Sequence, residues 1–112
     1  MTKIKFFKKN ENIVGFECLG HTGYADENDV LCATISGIVQ GGILGILKVL
    51  KINAKLSRDD DRGYIRIELP ECISDDNLKS SQIIFLTIKE SIEDLIQGYS
   101  QYISMEVIEN VY

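Results

Sequence analysis

Apolar and polar residues alternate over residues 2–8 (TKIKFFK) and 13–19 (IVGFECL), the period-two pattern of strands, joined by a turn at Asn10-Glu11-Asn12. In the second run Val14, Phe16 and Cys18 share one face, with Ile13, Gly15 and Glu17 on the other. A polar loop from Gly20 to Asn28 leads to Asp29, whose carboxylate can cap a helix by accepting from a free first-turn N–H. Residues 30–50 (VLCATISGIVQGGILGILKVL) then read as one long helix, apolar nearly all round. Alternation returns at Ile52, Ala54 and Leu56, breaks at the turn SRDDDRG, and resumes at Ile65, Ile67 and Leu69, which describes a hairpin closed by Pro70. Ser74 or Asp75 can cap a second helix running to about residue 100, with Ile84, Ile88, Ile92, Leu95 and Tyr99 at helical spacing. A last strand, Tyr102 to Glu109, carries Ile103, Met105 and Val107 on one face.

The order ββαββαβ predicts an α+β fold, a two-layer sandwich with a mixed sheet of about five strands and both helices on one face. Residues 1–112 are expected to form one domain. Residues 30–50 approach the length and apolarity of a membrane span. Ser36, Gln40 and Lys48 interrupt that run, so no membrane is expected, and the glycines Gly37, Gly41, Gly42 and Gly45 allow close helix packing. The sheet can cover one face of this helix only. A second copy of the chain is the simplest cover for the rest, which predicts a homodimer.

Composition narrows the class. The balance of 45% hydrophobic and 26% charged residues is that of an ordinary globular protein. Seventeen acidic against twelve basic residues give a net charge of -5 and no basic stripe, which disfavours direct nucleic-acid binding. A single histidine argues against a zinc site, and no other metal or cofactor is called for. Free thiols at Cys18, Cys32 and Cys72, with no apolar leader in MTKIKFFKKNEN, point to a reducing, cytoplasmic setting.

The candidate chemistry lies in GHTGYADENDVLCATIS, residues 20–36. His21 sits at a strand end and Cys32 in the first turn of the long helix, so a shared loop can bring them together. A thiol is nucleophilic as its thiolate, a form favoured by a helix N-terminus and by a neighbouring imidazolium. Free first-turn N–H groups can hold an oxyanion. Ser36, one turn after Cys32, can donate to either partner. Taken alone these residues also fit a core cysteine, a surface histidine, a simple helix cap at Asp29 and a small packing serine. Cys18 and Cys72 read as structural, and Asp59, Asp60 and Asp61 as a solvated turn.

The chain resembles the ribosomal-processing cysteine protease family along its whole length. That family's pattern is a Gly-His pair followed by Asp-x-x-Cys-Ala-x-x-Ser, matched here by Gly20-His21 and by Asp29-Val30-Leu31-Cys32-Ala33-Thr34-Ile35-Ser36. The resemblance implies Cys32 as nucleophile and His21 as general base, with Gly20, Asp29 and Ser36 supporting. It implies a homodimer that removes the N-terminal extension of a large-subunit ribosomal protein, the twenty-seventh, through a mobile loop between His and Cys. Here that loop holds Thr22, Gly23, Tyr24, Ala25, Asp26, Glu27 and Asn28 as the substrate-facing residues. It departs from the pattern, with Thr22 in place of a common Ala, no Gly before Asp29, and a spacing about one residue short. Asp26 and Glu27 suit a basic substrate peptide. The alternatives are a non-catalytic dimeric module bound to ribosomal components and a thiol redox sensor at Cys32.

Overall fold

A computed structural model describes residues 1–25 and 29–109. The strands are β1 (Thr2–Lys9), β2 (Asn12–Leu19), β3 (Lys55–Asp59), β4 (Tyr64–Glu68) and β5 (Ile103–Ile108), and the helices α1 (Val30–Leu44) and α2 (Asp75–Tyr99). Their order is the expected ββαββαβ. The five strands form one sheet in the order β3-β4-β2-β1-β5, antiparallel except for the parallel β1–β5 pair. The fold is α+β with a mixed sheet, as the alternation predicts.

Local chemistry explains the boundaries. Asn10 and Glu11, at φ 50° and 70°, make a tight two-residue connection between β1 and β2. Ser74 caps α2 by accepting from the Asn77 N–H at 3.1 Å. The long apolar run is α-helical only to Leu44 and closes with a π-helical turn, Gly45–Val49, before Lys51 at φ 56° ends it. The first hairpin strand begins at Lys55 and not at Ile52. It runs through Asp59, so the turn is shorter than SRDDDRG.

The core lies between the sheet and the two helices. Leu31, Ile35, Val39, Ile43 and Ile46 form one stripe of the first helix, and Ser81, Phe85, Ile88 and Ile92 one stripe of α2. They close over Ile4, Phe6, Phe16, Ile67 and Ile103, with Phe16 packed against Phe6 at 5.6 Å and edge-on to Phe85 at 6.0 Å. Val30–Val49 is long and apolar enough to cross a membrane by length and composition, yet its buried stripe is part of this core. Gly42 and Gly45 let the helices approach: a Cβ on Gly42 would lie 2.1 Å from Ile88 Cδ1, and one on Gly45 2.9 Å from Ile84 Cδ1. Gly37 and Gly41 face open space and pack nothing within 4 Å.

Ile13 faces the core, contrary to the alternation that sets it with Gly15 and Glu17. A β-bulge between Phe7 and Lys8 sets Lys8 opposite Ile13 and leaves Val14 as the extra residue. The bulge turns Ile13, at 3% exposure, into the core with Phe16 and not away from it. Gln82 of α2 spans the break, accepting from the Ile13 N–H at 2.7 Å and donating to its carbonyl at 2.8 Å. The sheet face away from the helices is charged. There Lys5, Glu17 and Arg66 lie side by side in register, and Arg66 lies 4.4 Å from the Phe7 ring centroid.

Candidate active site

Two elements meet at the C-terminal end of β2. The chain leaves Leu19 through Gly20, whose φ of +93° and 2.7 Å spacing from a built Cβ to the Met1 carbonyl oxygen both require glycine. The Gly20 N–H donates to the Gly63 carbonyl at 3.1 Å, fixing the corner to the β3–β4 hairpin. His21 follows, exposed, with its Nδ1 3.9 Å from Cys32 Sγ. The sequence places these two groups eleven residues apart, and the fold brings them into sulfur–nitrogen contact range.

Asp29 organises the intervening loop as well as the helix. Its Oδ1 accepts from the Cys32 N–H at 2.9 Å, the expected N-cap bond. Its Oδ2 accepts from the buried Thr22 hydroxyl at 2.5 Å and from the N–H groups of Tyr24 and Ala25 at 3.2 and 3.4 Å. The Thr22 hydroxyl bond, then the backbone donors of Cys32, Ala25 and Tyr24, hold its carboxyl below the usual carboxylate range. Tyr24 leans edge-on against Tyr99 at 5.7 Å and Tyr102 at 5.3 Å, tying the loop to the end of α2 and the start of β5. Of the substrate-loop residues singled out from sequence, Gly23 and Ala25 are exposed, and Asp26, Glu27 and Asn28 lie outside the described residues.

A cleft of about 190 Å³ opens beside the pair, with Cys18, Ile35, Val39 and Ile65 among its apolar lining and Ser36, Gln40, Arg58 and Asp60 among its polar lining. Burial, with the Cys32 charge adding, pushes the Cys18 thiol up to about 11, so it stays protonated at neutral pH. Ser36 faces this cleft, and among the described residues no hydrogen bond joins its hydroxyl to His21 or Cys32. The Cys32 N–H is the first-turn donor that the Asp29 cap occupies. Cys72, read as structural, is an exposed free thiol.

The hairpin side of the cleft is absent from the sequence reading. Arg58, paired with Asp60 at 2.6 Å, and Gly63 line it, although SRDDDRG reads as a solvated turn. Its only sequence signal is Gly63 itself, at φ +62° the one glycine in an acidic turn. Among the described residues no three His, Cys, Asp or Glu side chains are grouped to hold a metal ion.

Comparisons with known proteins place this arrangement. Among curated proteins none matches the sequence. The fold is similar to the crystal structure of SMU.848 from Streptococcus mutans, at 20% identity and a TM-score of 0.84, covering 97% of this chain and 95% of that one. It is equally similar to the essential ribosomal processing protease Prp from Staphylococcus aureus with a covalently linked product peptide, at 19% identity, TM-score 0.84, and 96% and 99% coverage. The same protease with a substrate peptide superposes at a TM-score of 0.80. The family model described as cysteine protease Prp matches residues 1–104, which takes in every strand and helix as far as the start of β5. With a thiol and an imidazole side by side at the head of its central helix, the chain belongs to the cysteine protease Prp family.

Proposed function

We propose that the protein is a cysteine endopeptidase that removes the N-terminal extension of a large-subunit ribosomal protein, the twenty-seventh, by a Cys32–His21 dyad. The observation that carries the reading is the 3.9 Å approach of Cys32 Sγ to His21 Nδ1 at the edge of an open cleft. Contacts of this kind commonly tighten once substrate binds. The likeness to a Staphylococcus aureus ribosomal processing protease with bound peptides supports the choice of substrate.

The chemistry follows from the two side chains. His21 Nδ1 takes the thiol proton, and Cys32 Sγ attacks the scissile carbonyl carbon. The protonated imidazole then gives its proton to the departing amine nitrogen as the C–N bond breaks, leaving a thioester on Cys32. Water, deprotonated by His21, attacks that thioester and releases the carboxylate product and the free thiol. Only the tautomer with its proton on Nε2 leaves Nδ1 free to accept, so the pair needs that tautomer at rest. Asp29 supports by holding the head of α1 and the loop together, Gly20 by setting the corner, and Ser36 by lining the cleft. The stretch that follows the buried Thr22 is the proposed peptide-binding segment, and the negative charges of Asp26 and Glu27 suit a basic peptide.

The setting belongs to the same proposal: cytoplasmic, with no direct nucleic-acid or membrane partner, and homodimeric. Support for the dimer comes from Val30, Leu44, Val49, Ile83 and Leu86, all exposed apolar residues on the two helices. Sedimentation equilibrium tests it, and a monomer at tens of micromolar would remove it. The deciding test of function is cleavage of the N-terminal extension peptide of the ribosomal protein from the same organism. Wild type should cleave once and Cys32→Ala not at all. An unreactive wild type that is folded would instead favour a binding module.

A further inference from the structure

The β3–β4 hairpin lies roughly forty residues beyond His21 in sequence, and its turn touches the imidazole. A Cβ built on Gly63 would lie 3.1 Å from both Cε1 and Nε2 of His21 and 3.1 Å from the Gly20 carbonyl oxygen. The ring therefore has a neighbour on each of two edges, Cys32 at Nδ1 and the glycine at the Nε2–Cε1 edge. The turn is itself anchored. The Gly63 N–H donates to the Asp60 carbonyl at 3.1 Å, and the Gly63 carbonyl accepts from the Gly20 N–H at 3.1 Å.

We infer that Gly63 is a positioning residue for His21: its bare Cα is the surface that sets how closely Nδ1 approaches the Cys32 thiol. The inference rests on the protease reading of the dyad and extends it to a third chain segment. Glycine is required twice. The φ of +62° disfavours most side chains, and the 3.1 Å spacing disfavours any Cβ, because the contact is tighter than ordinary van der Waals packing. A side chain there meets two atoms of His21 and the Gly20 carbonyl oxygen, and Gly20 is held by the same Gly20–Gly63 bond that fixes the corner. The ring is what yields, by a few tenths of an ångström. Displacements of that order matter, since about 1 Å of misplacement at a reacting pair can cost on the order of a hundredfold in rate.

The two requirements separate experimentally, because asparagine tolerates left-handed backbone better than alanine does while still carrying a Cβ. The readout needs no substrate. Iodoacetamide reaches the accessible thiols of the full-length protein, mass spectrometry follows Cys32 and Cys72 apart, and the exposed Cys72 serves as internal standard. At pH 6.5 the Cys32-to-Cys72 rate ratio should be highest in wild type and lowest in His21→Ala. Gly63→Asn and Gly63→Ala should lower it by about tenfold toward the His21→Ala value. Their thermal unfolding should remain cooperative and the Cys72 rate unchanged. Folded variants that keep the wild-type ratio overturn the inference, as does a wild-type ratio no higher than that of His21→Ala.

If neither variant folds, the unaltered protein decides. Its single histidine should give a nuclear Overhauser effect between Hε1 and the Gly63 α protons, and absence of that cross-peak refutes the contact. Failure to cleave the ribosomal peptide with the alkylation pattern intact would instead count against the substrate assignment alone.

Discussion

Gln82 provides the most direct test of how the sheet is held where its ladder breaks. Beside the bulge at Val14, Ile13 stands opposite Lys8 and both its N–H and its carbonyl are bonded to the Gln82 amide, at 2.7 and 2.8 Å. Gln82→Leu keeps the bulk and removes both. Ile13 is 3% exposed, so its N–H and carbonyl would be left largely unsatisfied. Each such group costs about 1–3 kcal/mol when fully buried. Gln82 is itself only half-buried, and water reaching the vacated site would offset part of that, so a total of about 2 kcal/mol is expected. At this chain length the loss lowers Tm by roughly 8 °C. Urea titration should show a lower midpoint at unchanged slope, the mark of lost stability without a change in surface exposed. Gln82→Glu, which can accept from Ile13 N–H but cannot donate to its carbonyl while ionised, should be destabilised at neutral pH and recover in part below about pH 4. Peptide cleavage at 20 °C should be unaffected by either change, since Ile13 and Gly20 lie at opposite ends of β2. A loss under about 0.5 kcal/mol for Gln82→Leu would refute the reasoning, because it would mean the bulge needs no side-chain partner.

Four further outcomes follow from the site and the helix pair. Asp29 has its folded carboxyl held below 3.8, so its contribution is complete above that value and drains away as pH falls through the lower folded value. The Cys32 amide signal should follow that titration, and a midpoint above 4 would contradict the bonding described. Thr22→Val removes the largest cause of the depression, so the Asp29 midpoint should rise while Thr22→Ser restores it. Gly42→Ala should destabilise by about 1–2 kcal/mol through overpacking against Ile88, whereas Gly41→Ala in the monomer should gain roughly 0.5–1 kcal/mol of helix stability, both read by urea unfolding. Charge reversal of Asp26 and Glu27 should slow cleavage of a basic peptide, and an unchanged rate would remove those residues from substrate recognition.

Most of the fold was legible because its signals are local. Alternation marks β1, β2 and β4, and Ser74 and Asp29 cap helices where their side chains predict. Period-two counting puts Ile13 on the wrong face because a bulge is set by cross-strand register and lies beside Gln82, sixty-nine residues away, neither of which the count contains. The π-helical turn is invisible in sequence for a similar reason, since an apolar run carries no mark of where hydrogen bonding shifts by one residue. At the site, Gly20, His21, Asp29 and Cys32 stand in one stretch and could be read together. Arg58, Asp60 and Gly63 could not, because a charged turn looks solvated until the β4–β2 pairing carries it beside His21. Which first-turn amide the Asp29 cap occupies is settled only by the fold, where it is that of Cys32.

The parallel pairing of β1 with β5 bears on the timing of assembly. Thr2 lies beside Ile103 and Phe7 beside Ile108, partners roughly a hundred residues apart along the chain. A ribosome extends a chain at about 5–20 residues per second, so β1 waits several seconds or more for its neighbour to exist. Through that interval β1 is a sheet edge with open N–H and carbonyl groups, and the apolar surface beneath α2 is incompletely closed. Yet His21, Cys32 and the hairpin are all synthesised before β5. Maturation of this protein is therefore paced by closure of the sheet on its far side: the parts of its reactive centre are made early, and the scaffold that steadies them is completed last.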